Sequence, residues 1–334
     1  LGLRLSAASA ETLSSSDEIQ KFAAFLRDQN LHVPTVNAFP FGAFHGTRVK
    51  EEVYRPDWRT DARTAFTLRC ADILSALCPP GGQGSISTVP VGYAPDLNER
   101  AEVRRAMDNL VALARALAEH EARSDIRIRI GLEPEPGCAL ETRVQTIEFF
   151  DELRRRAGAD APLVERHIGV CLDTCHAALA FESPAETWAA LDRAGIAVVK
   201  VQISAALEVR GAPPAALAAF VEPVYLHQVR GRTARGAPLA WRDLPEALAA
   251  WPPDADTMRI HFHVPLFWNG DEPLFSTAHT LDDAFWSRAR SGACPHLEIE
   301  TYTFDVLPPP LRRNDVVDSI AREFEWVLAR IGRV

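Results

Sequence analysis

The stretch Gly169–His176, GVCLDTCH, decides how the chain is read. Its first four residues form a continuous apolar run, the pattern of a strand buried on both faces of a parallel sheet. The run stops at Asp173, Thr174, Cys175 and His176. A carboxylate and an imidazole where a buried strand ends belong at the C-terminal rim of such a sheet, where strands deliver functional groups into a shared mouth. Side chains three apart on a strand point to opposite faces, so Asp173 and His176 converge only if the backbone turns at Thr174. The plainer alternative makes Asp173 the cap of a following helix and His176 a satisfied rim histidine.

Working outward, the same strand-then-helix rhythm recurs. Strands are expected at LGLRLSA, HVPTVNAFP (32–40), SISTVPV (85–91), IRIRIGLEPEPG (126–137), AVVKVQIS (197–204) and HLEIETYT (296–303). Helices are expected after a Ser15/Glu18 capping box, from Pro56–Asp57 to Leu77, over 98–122 and 141–156, and from Ser183–Pro184 to Arg193. A closing amphipathic helix is expected from a cap at Asn314 to about Ile331. From Ala205 the pattern loosens: HQVRGRTARG (227–236) reads as a loop, Asp243 caps a short helix, IHFHVP (260–265) is strand-like, and a small helix spans 281–288. Alternating βα units without a GxGxxG turn predict a (β/α)8 TIM barrel as one domain over residues 1–334.

Composition bounds the function. The chain has 334 residues, 47% hydrophobic and 24% charged, enough for a large core. A net charge of −9 argues against a general nucleic-acid binder, and the basic run RGRTARG is short. No apolar run approaches the roughly 20 residues of a membrane span, and the N-terminus lacks a signal-peptide pattern. Six cysteines without a CxxC pair fit neither a disulfide scaffold nor a thiolate zinc site, so a cytoplasmic location is the expectation.

Four strand ends carry groups suited to metal ligation: Glu133 and Glu135, Asp173 and His176, His261 and His263, Glu298 and Glu300. Three of these pairs are spaced i, i+2 and so share a strand face. Carboxylates in otherwise apolar strands are costly to bury unless paired or bound to a cation. Carboxylate with imidazole suits zinc, manganese, cobalt or magnesium.

The motifs LEPEPG, CLDTCH, HFHVP and LEIETYT together resemble the xylose-isomerase-like barrel superfamily of sugar isomerases, ketose 3-epimerases and endonuclease IV. Within it the chain resembles the metabolite-traffic EboE family. That closer resemblance rests on NAFPFGAFHGTRVKEEVYRPDWRT, SISTVPVGY, GLEPEPGC, CLDTCHAALAFE, KVQISAAL and HFHVPLFWNGDE with CPHLEIETYTFDVLP, spanning residues 36–308. The superfamily pattern implies Glu133, Asp173 and Glu300 as carboxylate ligands, with His176 beside them, of a divalent ion, zinc or manganese first and cobalt or magnesium next. Two departures stand out. Gln202 of KVQIS replaces a ligating histidine, with His263, or less favourably His261, able to substitute. A strand that relatives carry upstream of LGLRLSA is absent, so the barrel is expected to lack its first strand, with IHFHVP an excursion between the last two.

The activity implied is metal-dependent isomerisation or epimerisation of a small polyhydroxylated carbonyl metabolite. Glu133 and Glu300 would move the proton, while Glu135, His176, Gln202 and His261 hold substrate. Two rivals stand beside it: a metabolite binder with a degenerate metal site, and an endonuclease IV-like phosphodiesterase, which the acidic balance disfavours. Oligomeric state is not legible.

Overall fold

A computed structural model describes residues 1–44, 49–308, 311 and 315–332. They group into two compact units, Leu1–Cys171 with Leu191–Lys200, and Leu172–Ala190 with Val201–Val334. The parallel strands are β1 (Gly2–Arg4), β2 (Thr35–Asn37), β3 (Gln83–Thr88), β4 (Arg127–Leu132), β5 (Ile168–Asp173) and β6 (Val198–Ile203). Then come β7 (Ala206–Arg210), β8 (Val229–Thr233), β9 (Pro238–Trp241), β10 (Ala255–His263), β11 (Gly270–Asp271), β12 (Leu274–Ser276) and β13 (Leu297–Ile299). One seven-stranded sheet has the order β1-β2-β3-β4-β5-β6-β13, so β13 is the seventh parallel strand. A six-stranded sheet has the order β11-β12-β7-β10-β8-β9.

In the first unit the registers Leu3↔Val36, Val36↔Ile86, Ile86↔Ile130 and Ile130↔Ile168 stack β-branched and leucine side chains across neighbouring strands. Its helices are α1 (Ala7–Leu13), α2 (Ser16–Asp28), α3 (Asp61–Leu77), α4 (Arg100–Ser124), α5 (Arg143–Ala157) and α6 (Ala161–His167). The Ser15/Glu18 capping box does not form: Ser15 makes no side-chain cap bond, and Glu18 pairs with Lys21 at 2.7 Å. Helix α3 starts at Asp61 under a Thr60 cap, later than expected, because Asp57 is buried and held by the Arg59 guanidinium at 2.7 Å. Capping boxes do close on α4, from Glu99 to Glu102, and on α5, from Thr142 to Gln145. Helices α1 and α6 have no counterpart in the sequence reading; each is only seven residues long, too short to show a period.

In the second unit lie α7 (Thr174–Leu179), α8 (Pro184–Arg193), α9 (Leu244–Ala249), α10 (Asp283–Arg290) and α11 (Val316–Ile331), though α8 runs to its last residues in the first unit. The loosened region after Ala205 is an antiparallel sheet. RGRTARG, read as a loop, begins as strand β8, flanked by β9 and β10. Pairings such as Arg259↔Glu208 join residues about fifty apart, which no local period reports. The expected cap Asn314 lies outside the described residues; Asp315 caps α11 by accepting the Val317 N–H at 2.8 Å. Among the described residues no helix is long and apolar enough to cross a membrane.

Close approach explains one glycine. A Cβ on Gly169 would meet the Ala197 carbonyl oxygen, and would lie 2.8 Å from a Val199 methyl. Gly169→Ala should therefore destabilise the fold by roughly 1–3 kcal/mol, the cost of overpacking, read from urea unfolding; an unchanged midpoint would contradict the packing.

Glu323 on α11 accepts the Leu266 N–H at 3.0 Å and the Thr301 hydroxyl at 2.7 Å. Burial pushes its pKa up to about 7 against those two bonds. The folded state thus holds this proton more tightly than the unfolded chain. Its contribution is complete below the unfolded pKa and is lost as pH rises through about 7. Wild type should lose stability on the order of 3 kcal/mol relative to Glu323→Gln between pH 4.5 and 7.5 in urea melts. Parallel pH profiles for the two proteins would rule this out.

Candidate metal centre

The turn that GVCLDTCH requires is present and is built by Asp173. The residue ends β5 and caps α7, its Oδ1 accepting the His176 N–H at 2.9 Å. Ser204 donates its hydroxyl to the same oxygen at 2.7 Å and accepts the Cys175 N–H at 2.9 Å. Thr174 Oγ1 donates to the Ser204 carbonyl at 2.7 Å and accepts the Ser204 N–H at 2.9 Å. Capping and site geometry are thus one arrangement rather than rival readings. Asp173 is 1% exposed, and its second oxygen, Oδ2, is buried without a hydrogen bond. A buried carboxylate oxygen left this way is costly unless a cation answers it.

Three imidazoles gather in the same unit. His176 Nε2 lies 3.0 Å from His261 Nε2, and the His176 and His263 ring centroids are 6.0 Å apart. His261 Nδ1 donates to Gln228 Oε1 at 2.7 Å, and His263 Nδ1 donates to the Glu300 carbonyl at 2.7 Å. An acceptor on Nδ1 fixes the tautomer that leaves Nε2 with its lone pair, which is how ligating histidines are oriented. Burial first, then His176 and His263, hold the His261 pKa well below its ordinary value, so its ring is neutral and available.

The donor atoms of Asp173, His176 and His263 all lie within 4.8 Å of one another, as do those of Cys175, His261 and His263. His263 has only Nε2 to offer, so the two triads are alternative seats for one ion. Oxygen and imidazole donors on Asp173, His176 and His263 fit a divalent ion of the zinc or manganese kind. Glu300 follows β13, its N–H donating to the Ile203 carbonyl at 3.1 Å, and its main chain is the anchor of His263. Gln202 is fully buried on β6, in register with Glu298. Behind the cluster, His227 bridges the His261 carbonyl at 2.7 Å and Glu222 Oε1 at 2.8 Å.

Glu133 and Glu135 lie in the first unit, just past β4, and both are buried. The Glu133 N–H donates to the Thr88 carbonyl at 3.0 Å. Glu135 Oε1 accepts the Tyr54 hydroxyl at 2.8 Å, and Tyr54 stacks on Tyr93 with centroids 4.9 Å apart. Burial and the Glu135 charge raise the Tyr54 pKa well above normal, so it stays a donor.

Sequence reasoning missed Ser204, Gln228, His227 and Tyr54. Ser204 closes AVVKVQIS and Tyr54 sits in the charged stretch KEEVYR, and only the adjacent His227–Gln228 pair carried a visible cue. Ser204→Ala should weaken binding of zinc or manganese by roughly 10–100-fold in calorimetric titration, the cost of losing the partner that orients Asp173. Unchanged affinity would show that Asp173 is not a ligand.

Comparison with known proteins fits this architecture. No curated protein matches the sequence. Among solved structures, a xylose isomerase domain protein from Planctomyces limnophilus is similar at TM-score 0.53 and 14% identity, covering 98% of this chain and 87% of that one. The probable 3-DHS dehydratase AsbF from Bacillus anthracis, involved in petrobactin synthesis, is similar at TM-score 0.51 and 13% identity, covering 97% and 87%. At such identities these likenesses speak for the fold alone. The family profile described as xylose isomerase-like TIM barrel matches residues 7–227, about two thirds of the sequence, and the chain belongs to that family.

Proposed function

We propose that the protein is a metal-dependent isomerase or epimerase of a small polyhydroxylated carbonyl metabolite. The observation that carries this reading is the buried, hydrogen-bond-free Asp173 Oδ2 in a triad with two histidines, one of which has its Nδ1 pinned to a carbonyl. Asp173, His176 and His263 hold the ion, with Glu300 as a further carboxylate; zinc or manganese suits these donors best. When bound, the ion supplies Lewis acidity to adjacent oxygens of an α-hydroxy carbonyl.

The remaining work falls to side chains. Glu300 removes a carbon-bound proton and returns it, the task of a carboxylate within reach of the reacting carbon. Glu133 is the second proton carrier on the strength of its place in LEPEPG. Gln202 offers a neutral amide, and Glu135 a carboxylate, to substrate hydroxyls, and His261 supports the oxygen side as a neutral imidazole. The closer resemblance of the sequence to the EboE family supports a substrate linked to secondary-metabolite traffic.

Gln202 also favours a second reading, a metabolite binder, because an amide stands where relatives carry a ligating imidazole. Exchange of carbon-bound hydrogen in deuterium oxide separates the two. With manganese or zinc and a panel of ketoses and aldoses, the enzyme reading predicts solvent deuterium at the carbon beside the carbonyl. Glu300→Gln and Glu133→Gln should each slow that exchange by roughly 10²–10⁴-fold. Saturable sugar binding with no exchange would establish the binder and end the enzyme reading.

A further inference from the structure

A second polar cluster lies away from the histidines, around a cleft of about 450 Å³ in the second unit. Its walls include Arg210, Asn269, Phe275, His279, Trp326 and Arg330. Two of these residues, Arg210 and His279, bond to buried Glu208, which they share with Arg259. Arg210 meets Oε1 at 2.9 Å, Arg259 meets Oε2 at 3.0 Å, and His279 approaches Oε2 at 3.4 Å. Although burial raises its pKa, His279, Arg259 and Arg210 together hold Glu208 down at about 2, so it stays ionised.

Arg330 adds a further charge. Its guanidinium sits 3.5 Å from the Trp326 ring centroid and donates to the Trp326 carbonyl at 2.8 Å. Among the described residues it has no carboxylate partner, and burial alone acts on its pKa, downward. Arg210 lies likewise over Phe275 at 4.4 Å. The lining thus carries two guanidinium groups, Arg210 and Arg330, and no carboxylate, in a chain whose net charge is −9. Guanidinium groups held on aromatic faces are pre-organised and keep donors free for an oxyanion.

We propose that this cleft binds a small oxyanion, the carboxylate or phosphate of a metabolite, at a site separate from the histidine cluster. Binding would use the Arg330 and Arg210 guanidinium donors, with Asn269 and His279 as further hydrogen-bonding groups.

Calorimetry of the full chain tests it, with inorganic phosphate and succinate titrated separately at constant ionic strength. Saturable binding of one or both is expected, and the probe that binds more tightly names the group recognised. Arg330→Ala should weaken binding roughly tenfold or more, since charge-assisted hydrogen bonds are lost. Asp173→Asn should leave it unchanged, which separates this site from the candidate metal centre. Circular dichroism checks that Arg330→Ala folds. No saturable binding of either anion, equal binding by Arg330→Ala, or loss of binding in Asp173→Asn would overturn the proposal.

Discussion

Two carbonyl oxygens decide what the histidine cluster can do. Gln228 Oε1 and the Glu300 main chain each take an Nδ1 proton, from His261 and His263 respectively. Without them the rings could present a proton where a metal needs a lone pair. With them, Nε2 is the lone-pair nitrogen on both rings. Around this constraint the second unit is arranged: β10 ends in the two histidines, their ring centroids 5.4 Å apart, and the segment after β13 supplies the anchor of His263.

Asp173 shows how one residue serves fold and chemistry together. Its Oδ1 is consumed by a helix N–H and a serine hydroxyl, which fixes the carboxylate plane and turns the strand into α7. That leaves Oδ2 buried with nothing to accept from the protein. A stability argument alone would place an asparagine or serine there as well, since either caps a helix. The choice of a carboxylate, at the cost of burying a charge, is accounted for by a cation.

How far the sequence foretold this follows from the range of the interactions. Buried parallel strands announce themselves locally, and so GVCLDTCH, LEPEPG and KVQIS were legible as strand ends from their apolar runs. The turn at Thr174 was deducible because Asp173 and His176 had no other way to meet. The sheet of β7 to β12 was not, because Arg259 finds Glu208 and Val229 finds Ile260 only through long-range pairing. A run such as RGRTARG looks solvated when its hydrogen-bonding partners are unknown. Orienting residues were least visible: Ser204 and Gln228 each act through one hydrogen bond, to Asp173 and to His261 respectively, and no spacing encodes that.

The central claim is that the second unit seats a divalent ion on Asp173, His176 and His263. Elemental analysis of protein purified without chelator measures it most directly. The account predicts near one equivalent of zinc or manganese per chain, lost in Asp173→Asn and in His263→Ala while circular dichroism stays unchanged. Metal-free wild type that takes up neither ion on dialysis, or full occupancy retained in both variants, would contradict it.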